Sequence, residues 1–159
     1  MITTLWYQDR KVWRLILLRY LPFLAGLHLL WESAHVRLYT IWYEAEPAYI
    51  AFSVLHCTLG DVLIGSAALF TALIWTRAGS PRHWRWVRVA AVTSLIGLAY
   101  TVFSEWMNLT WLRSWTYAGS MPTLAIGGFK LGLTPVAQWL VVPPTALYLA
   151  SRVRCDGTR

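Results

Sequence analysis

Charge is what this 159-residue chain has least of. Asp, Glu, Lys and Arg together make up 13% of it, about half the share of an ordinary soluble domain. Acidic residues are the scarcer kind, seven against fourteen basic. Cysteine is nearly missing too: Cys57 lies in an apolar run and Cys155 in a basic tail, so no disulfide is expected. A removable leader is also lacking by pattern. The first nineteen residues are mixed, basic and aromatic, and no small-residue cleavage site follows a short apolar core. The first apolar segment is therefore expected to stay in the mature protein.

What the chain does have is apolar surface. Hydrophobic residues make up 57% of it, mean hydropathy is +0.47, and there are eleven Trp and eight Tyr. Aromatics near the ends of apolar runs suit a membrane interface, where the ring and its N–H or O–H are both satisfied. The net charge is +7. Its basic residues flank apolar segments and form no stripe, which argues against a nucleic-acid partner and for anchoring to a lipid bilayer.

Four runs are long enough to cross about 30 Å of hydrocarbon. They lie near Leu15–Arg37, Ala48–Trp75, Val87–Trp106 and Leu131–Ala150. Helices are expected, because backbone amides in lipid must be satisfied internally. The fold expected is all-α: a single polytopic four-helix transmembrane bundle over residues 1–159. Pro22 falls in the first turns of span one, and Pro143-Pro144 is expected to kink or bend span four. Arg10, Lys11, Arg14, Arg19, Arg77, Arg82, Arg85, Arg88, Arg152, Arg154 and Arg159 lie on one side. Arg37, Arg113 and Lys130 lie on the other, eleven against three. The bias points to both termini in the cytoplasm and a multi-pass position in a membrane. It also turns the aromatic loop of residues 107–130 outward, over the membrane face or over a site as a lid.

That orientation sorts the polar residues by depth. Glu32, His35, His56, Glu105, Asn108 and Gln138 all fall toward the outer leaflet, with Asp61 nearer the middle, and the inner halves hold almost no carboxylate. His28, Glu32 and His35 stand at i, i+4 and i+7 and so share a stripe, as do Thr101, Glu105 and Asn108. Thr134, Gln138 and Thr145 share a face of span four. His56 points about 140° from Asp61, so the two are not expected to aim at one pocket centre. Ionisable groups within a bilayer are costly and mark functional sites.

Three chemistries remain open. A carboxylate in apolar surroundings beside an imidazole suits acid–base work. With Glu32, His28 and Asp61 as catalytic candidates, such a pocket would serve proton transfer or stabilise a cationic centre in a small apolar or amphipathic ligand. His35, His56, Tyr100, Glu105, Asn108, Gln138 and Trp139 are its candidate ligand-binding residues. A metal site is the second reading, with His28, Glu32 and His35 as ligands. Glu32-x-x-His35 is one half of a di-iron motif that needs two such halves and two further Glu. Haem held by His56 with His28 or His35 belongs to the same class. Third, the polar groups could only hold helices together in an accessory subunit of a membrane complex.

His28-x-x-x-Glu32 on span one and Trp139-Leu140-Val141-Val142-Pro143 on span four resemble the emopamil-binding protein and sterol isomerase family. The resemblance implies a four-helix membrane domain that binds or isomerises sterol-like molecules. The chain departs from the family at two points. The helix-two acid has Asp61 as its nearest candidate, and the helix-four Asn falls on Val136, so Asp61 and Gln138 inherit no role. Phe103-Ser104-Glu105-Trp106-Met107-Asn108 and Gln138 to Pro143 also resemble small uncharacterised bacterial inner-membrane proteins, which implies location and no activity.

Overall fold

Three helical rods dominate the chain because its apolar runs are long and carry few charges. A computed structural model describes residues 5–152. Helix α1 spans Arg10–Leu38, α2 Pro47–Trp75 and α3 Trp86–Leu112. At 1.5 Å per residue each is about 40 Å long, more than the hydrocarbon thickness of a bilayer. All three are long and apolar enough to cross a membrane. A fourth helix, α4, spans Leu133–Arg152. It is shorter, and Thr134, Gln138, the proline pair, Thr145 and Ser151 dilute its apolar character. It runs on through Pro143 and Pro144, which cannot donate to the carbonyls of Trp139 and Leu140. The expected Cys155, Arg154 and Arg159 lie outside the described residues.

Each rod packs against its neighbours in sequence, α1 on α2, α2 on α3 and α3 on α4, and α4 closes the ring onto α1. Successive rods therefore run in opposite directions. One end of the bundle carries Arg10 to Arg19, the Arg77–Arg88 loop and Arg152; it is called here the arginine end. The other carries the two remaining connections and is called the hairpin end.

Two local features depart from a regular α-helix. Ile16–Tyr20 forms a widened turn in α1, directly before Pro22. A proline here removes one rung and crowds the carbonyl four residues back, and a wider turn relieves that crowding. Met107–Leu112 is a second widened turn, which carries α3 past Trp106 to a left-handed Arg113. The segment expected as a loop over residues 107–130 is thus more ordered. It begins as helix, and later pairs Thr123–Ile126 (β1) with Phe129–Gly132 (β2) as an antiparallel hairpin. Gly127 and Gly128, at φ +55° and +83°, make its two-residue turn, which requires positive φ at both positions.

The apolar core sits at the arginine end. Val12, Ile16, Tyr20 and Leu24 of α1 meet Leu69 and Leu73 of α2, Val89 of α3, and Val142, Ala146 and Leu147 of α4. Tyr20 places its hydroxyl 3.2 Å from the Gly65 carbonyl to satisfy itself within this core. Outward-facing Leu18, Leu30, Leu59, Leu63 and Leu95 are all more than half exposed. A belt of this kind suits lipid and would be an aggregation hazard in water.

Candidate functional site

Helical spacing brings the first three polar groups together. His28, Glu32 and His35 occupy one stripe of α1 and are all buried, with His28 fully so. His35 Nε2 lies 3.3 Å from Glu32 Oε2. Asp61 comes from the middle of α2, and its Oδ2 stands 3.2 Å from His28 Nδ1. Gln138, in the second turn of α4, completes the group. Its Nε2 donates to Asp61 Oδ2 at 2.7 Å and to Glu32 Oε1 at 2.9 Å, and lies 2.8 Å from His28 Nδ1. Gln138 is the element that sequence spacing undervalued: only packing reveals that it touches three of the other four.

Hydrogen counting at Gln138 has a chemical consequence. An amide nitrogen has two hydrogens, and three acceptor positions surround it. In the observed orientation one of His28, Glu32 and Asp61 must supply a proton of its own. With the amide turned, its oxygen would face two carboxyl oxygens, which again need a proton between them. In the observed orientation a neutral His28 with its hydrogen on Nδ1 meets this count by donating to the Asp61 carboxylate, so the imidazole and both carboxylates share one hydrogen-bonded network.

Trp139 forms the wall behind His28, with ring centroids 5.4 Å apart, and is buried. Gly97 of α3 makes room for it: a Cβ there would come within 1.9 Å of the indole. A glycine is required at that point by close approach.

The hairpin end is closed by backbone pairing between the two connections. Thr40 N–H donates to Thr116 O at 3.0 Å, and Ala118 N–H to Leu38 O at 2.9 Å. Tyr39 and Tyr117 sit opposite each other in this bridge, their rings 5.5 Å apart. Tyr39 also packs on His35 at 5.4 Å. The Tyr117 hydroxyl donates to Glu105 and accepts from Gly132 N–H at 2.9 Å. Gly132 has no room for a side chain, since a Cβ would lie 2.8 Å from that hydroxyl. Burial, and then the Glu105 carboxylate, push the Tyr117 phenol well above its ordinary range. Burial and Glu105 raise Tyr39 likewise. Tyr39 was outside the expected site, and Tyr117 was expected only as a loop aromatic. Neither follows from helical periodicity, because both lie between helices.

These groups border a cavity of about 530 Å³. Glu32, Asp61 and Glu105 line it with His35, His56, Tyr100, Asn108, Gln138 and Trp139, while among the described residues no Lys or Arg does. His28 is buried behind this lining. Asn108 is tied to its own helix, donating to Ser104 O at 2.8 Å. His56 is at the rim, exposed and stacked on Phe52 at 5.7 Å. Thr134 bonds Met121 Sδ and Thr145 bonds the Val141 carbonyl, so neither joins Gln138.

The three residues of the metal reading do not turn toward one common point. Among the described residues no three His, Cys, Asp or Glu side chains are placed to hold a metal ion. His28, Glu32 and His35 share a stripe, but His28 turns Nδ1 to Asp61 and Gln138, whereas His35 turns Nε2 to Glu32 Oε2. Two buried imidazole nitrogens, His28 Nε2 and His35 Nδ1, have no hydrogen-bond partner. No protein-family model, curated protein or solved structure matches the chain.

Proposed function

We propose that this chain is a four-span protein of a bacterial inner membrane. Both termini face the cytoplasm, and the cavity faces outward and takes a small apolar or amphipathic molecule with a cationic or charge-developing centre. The observation that carries this reading is the set of three carboxylates around one cavity that no Lys or Arg among the described residues lines. Buried like charges without a counter-ion are unfavourable, and a proton or a bound cation relieves them. Aromatic walls from Tyr39, Phe52, Tyr100 and Trp139 accommodate an apolar body and attract positive charge to their faces. The excess of arginine at the other end supports the cytoplasmic assignment of the termini.

If the bound molecule reacts, the chemistry is proton transfer of the isomerase type. Glu32 is the acid or the stabiliser of positive charge, and it lies within the same hydrogen-bonded group as Asp61. His28 is the proton partner, joined to Glu32 through the Gln138 amide. A proton leaving one carboxyl has a second carboxyl and an imidazole as acceptors within one network. This is what reversible protonation of a substrate requires.

Replacement of Glu32 tests the reading. Gently purified wild-type protein should carry a small apolar or amphipathic molecule detectable by mass spectrometry, and Glu32→Gln should lose it while still inserting and folding. Equal amounts of that molecule in both proteins would remove the proposal. The accessory-subunit reading would gain if, in addition, Glu32→Gln and Asp61→Asn were both tolerated and the chain co-purified with a larger complex.

A further inference from the structure

The second cavity lies at the opposite end, where α2 turns into α3. It measures about 390 Å³ and is lined by Trp75, Thr76, Arg77, Arg85, Arg88, Ala91 and Val92. Three of those seven residues are arginines and none is acidic. Among the described residues none of the three forms an ion pair. Positive-inside anchoring accounts for basic residues anywhere in this loop, but it does not require them to converge on one cavity.

Two further observations raise the positive potential there. Arg85 caps the start of α3 without a side-chain hydrogen bond, and no acidic residue stands in the first turn of that helix. The N-terminus of a long helix already carries partial positive charge and unsatisfied N–H groups, and cations beside it are unfavourable. Arg85 and Arg88 are placed there nonetheless. Arg77 follows the end of α2 in the left-handed conformation, φ +49°. Ala78 N–H returns to the Leu73 carbonyl at 2.9 Å, the pattern in which glycine is the ordinary occupant. A long cationic side chain thus occupies a position that favours glycine, and it lines the cavity.

We propose that this cavity binds the phosphate of an anionic phospholipid. The arginine forks match phosphate oxygens, and the uncapped helix start adds N–H donors. Ala91, Val92 and the largely exposed Trp75 supply apolar surface on which the acyl region lies. The site is independent of the outward cavity and makes no use of its carboxylates.

Purified full-length protein in nonionic detergent, titrated with phosphatidylglycerol or phosphatidylcholine and followed by native mass spectrometry and thermal denaturation, tests this. Phosphatidylglycerol should be retained and should stabilise the protein, and phosphatidylcholine should do so far less. Arg77→Gly relaxes the strained turn and so keeps the fold. It and Arg85→Gln should each weaken phosphatidylglycerol retention about fivefold. Arg82 lies in the same loop but does not line the cavity, and Arg82→Gln should leave retention unchanged. An equal loss with Arg82→Gln would show that bulk charge alone is at work and would overturn the site. Equal retention of the two lipids would overturn it as well. Saturable stabilisation by inorganic phosphate, lost in Arg85→Gln, would keep the phosphate site and assign it to a soluble source.

Discussion

The two ends of this bundle are built on opposite principles. At the arginine end, four rods meet through Val12, Ile16, Tyr20, Leu24, Leu69, Leu73, Val89, Val142 and Leu147, and the single buried hydroxyl among them, that of Tyr20, is satisfied by a backbone carbonyl. At the hairpin end the same rods meet through His28, Glu32, Asp61, Gln138 and Glu105, with more acceptors than hydrogens at Gln138. The first end holds the rods together. The second spends some of that stability on a polar cavity, since close packing of carboxylates without Lys or Arg is unfavourable for the fold by itself. The core at one end is apolar and self-contained, whereas the polar cluster at the other lines an open cavity.

The sharpest break in the comparison is expected from Leu69→Ala. It should cost about 2–5 kcal/mol of stability through the cavity it leaves, measured by thermal or denaturant unfolding in detergent. The amount of co-purified small molecule per folded protein should stay the same. A smaller expected effect on stability comes with Gln138→Leu. Its lost hydrogen bonds are worth about 0.6 kcal/mol each in a membrane setting, yet it separates Glu32, Asp61 and His28 and should abolish retention of the molecule. Stability and retention falling in proportion for both variants would show that the two ends are not distinct in role.

Tyr117→Phe is the mildest of the three. It removes the hydroxyl that joins Glu105 to Gly132, at a cost of about 1 kcal/mol, and loosens the cover over the cavity. Its pH dependence carries a sign. The Tyr117 phenol is raised in the folded protein, so its contribution is complete below the ordinary tyrosine value of about 10 and fades as pH rises above it. The wild type should therefore lose stability above about pH 10 more steeply than Tyr117→Phe. Parallel alkaline profiles would show that Tyr117 is not held in this way.

Much of the frame was readable before the structure. Span ends near Leu15–Arg37, Ala48–Trp75 and Val87–Trp106 lie within a few residues of the helices, except where α1 starts earlier and α3 continues to Leu112. Apolar run length reports helix extent well because the requirement is additive over residues. The stripe of His28, Glu32 and His35 was legible for the same reason: three residues on one rod need only helical periodicity to be placed together. The cover was not legible. Tyr39 and Tyr117 meet across more than seventy residues through a bridge whose register depends on how the rods pack. Ring orientation along that stripe was not legible either, because His28 turns to Asp61 and Gln138 on other helices while His35 turns to Glu32 on its own.

The sequence alone determined that apolar rods form, where their apolar stretches lie, and which faces carry the ionisable groups. These are properties of single segments, governed by hydropathy and a fixed residue period. Only the tertiary structure decided that Asp61 and Gln138 reach the α1 stripe, that Gly97 yields its place to Trp139, and that Tyr117 closes on Glu105. Those outcomes depend on the rotation and depth of each rod against its neighbours, and these are set by side-chain packing across the bundle, which no segment encodes by itself.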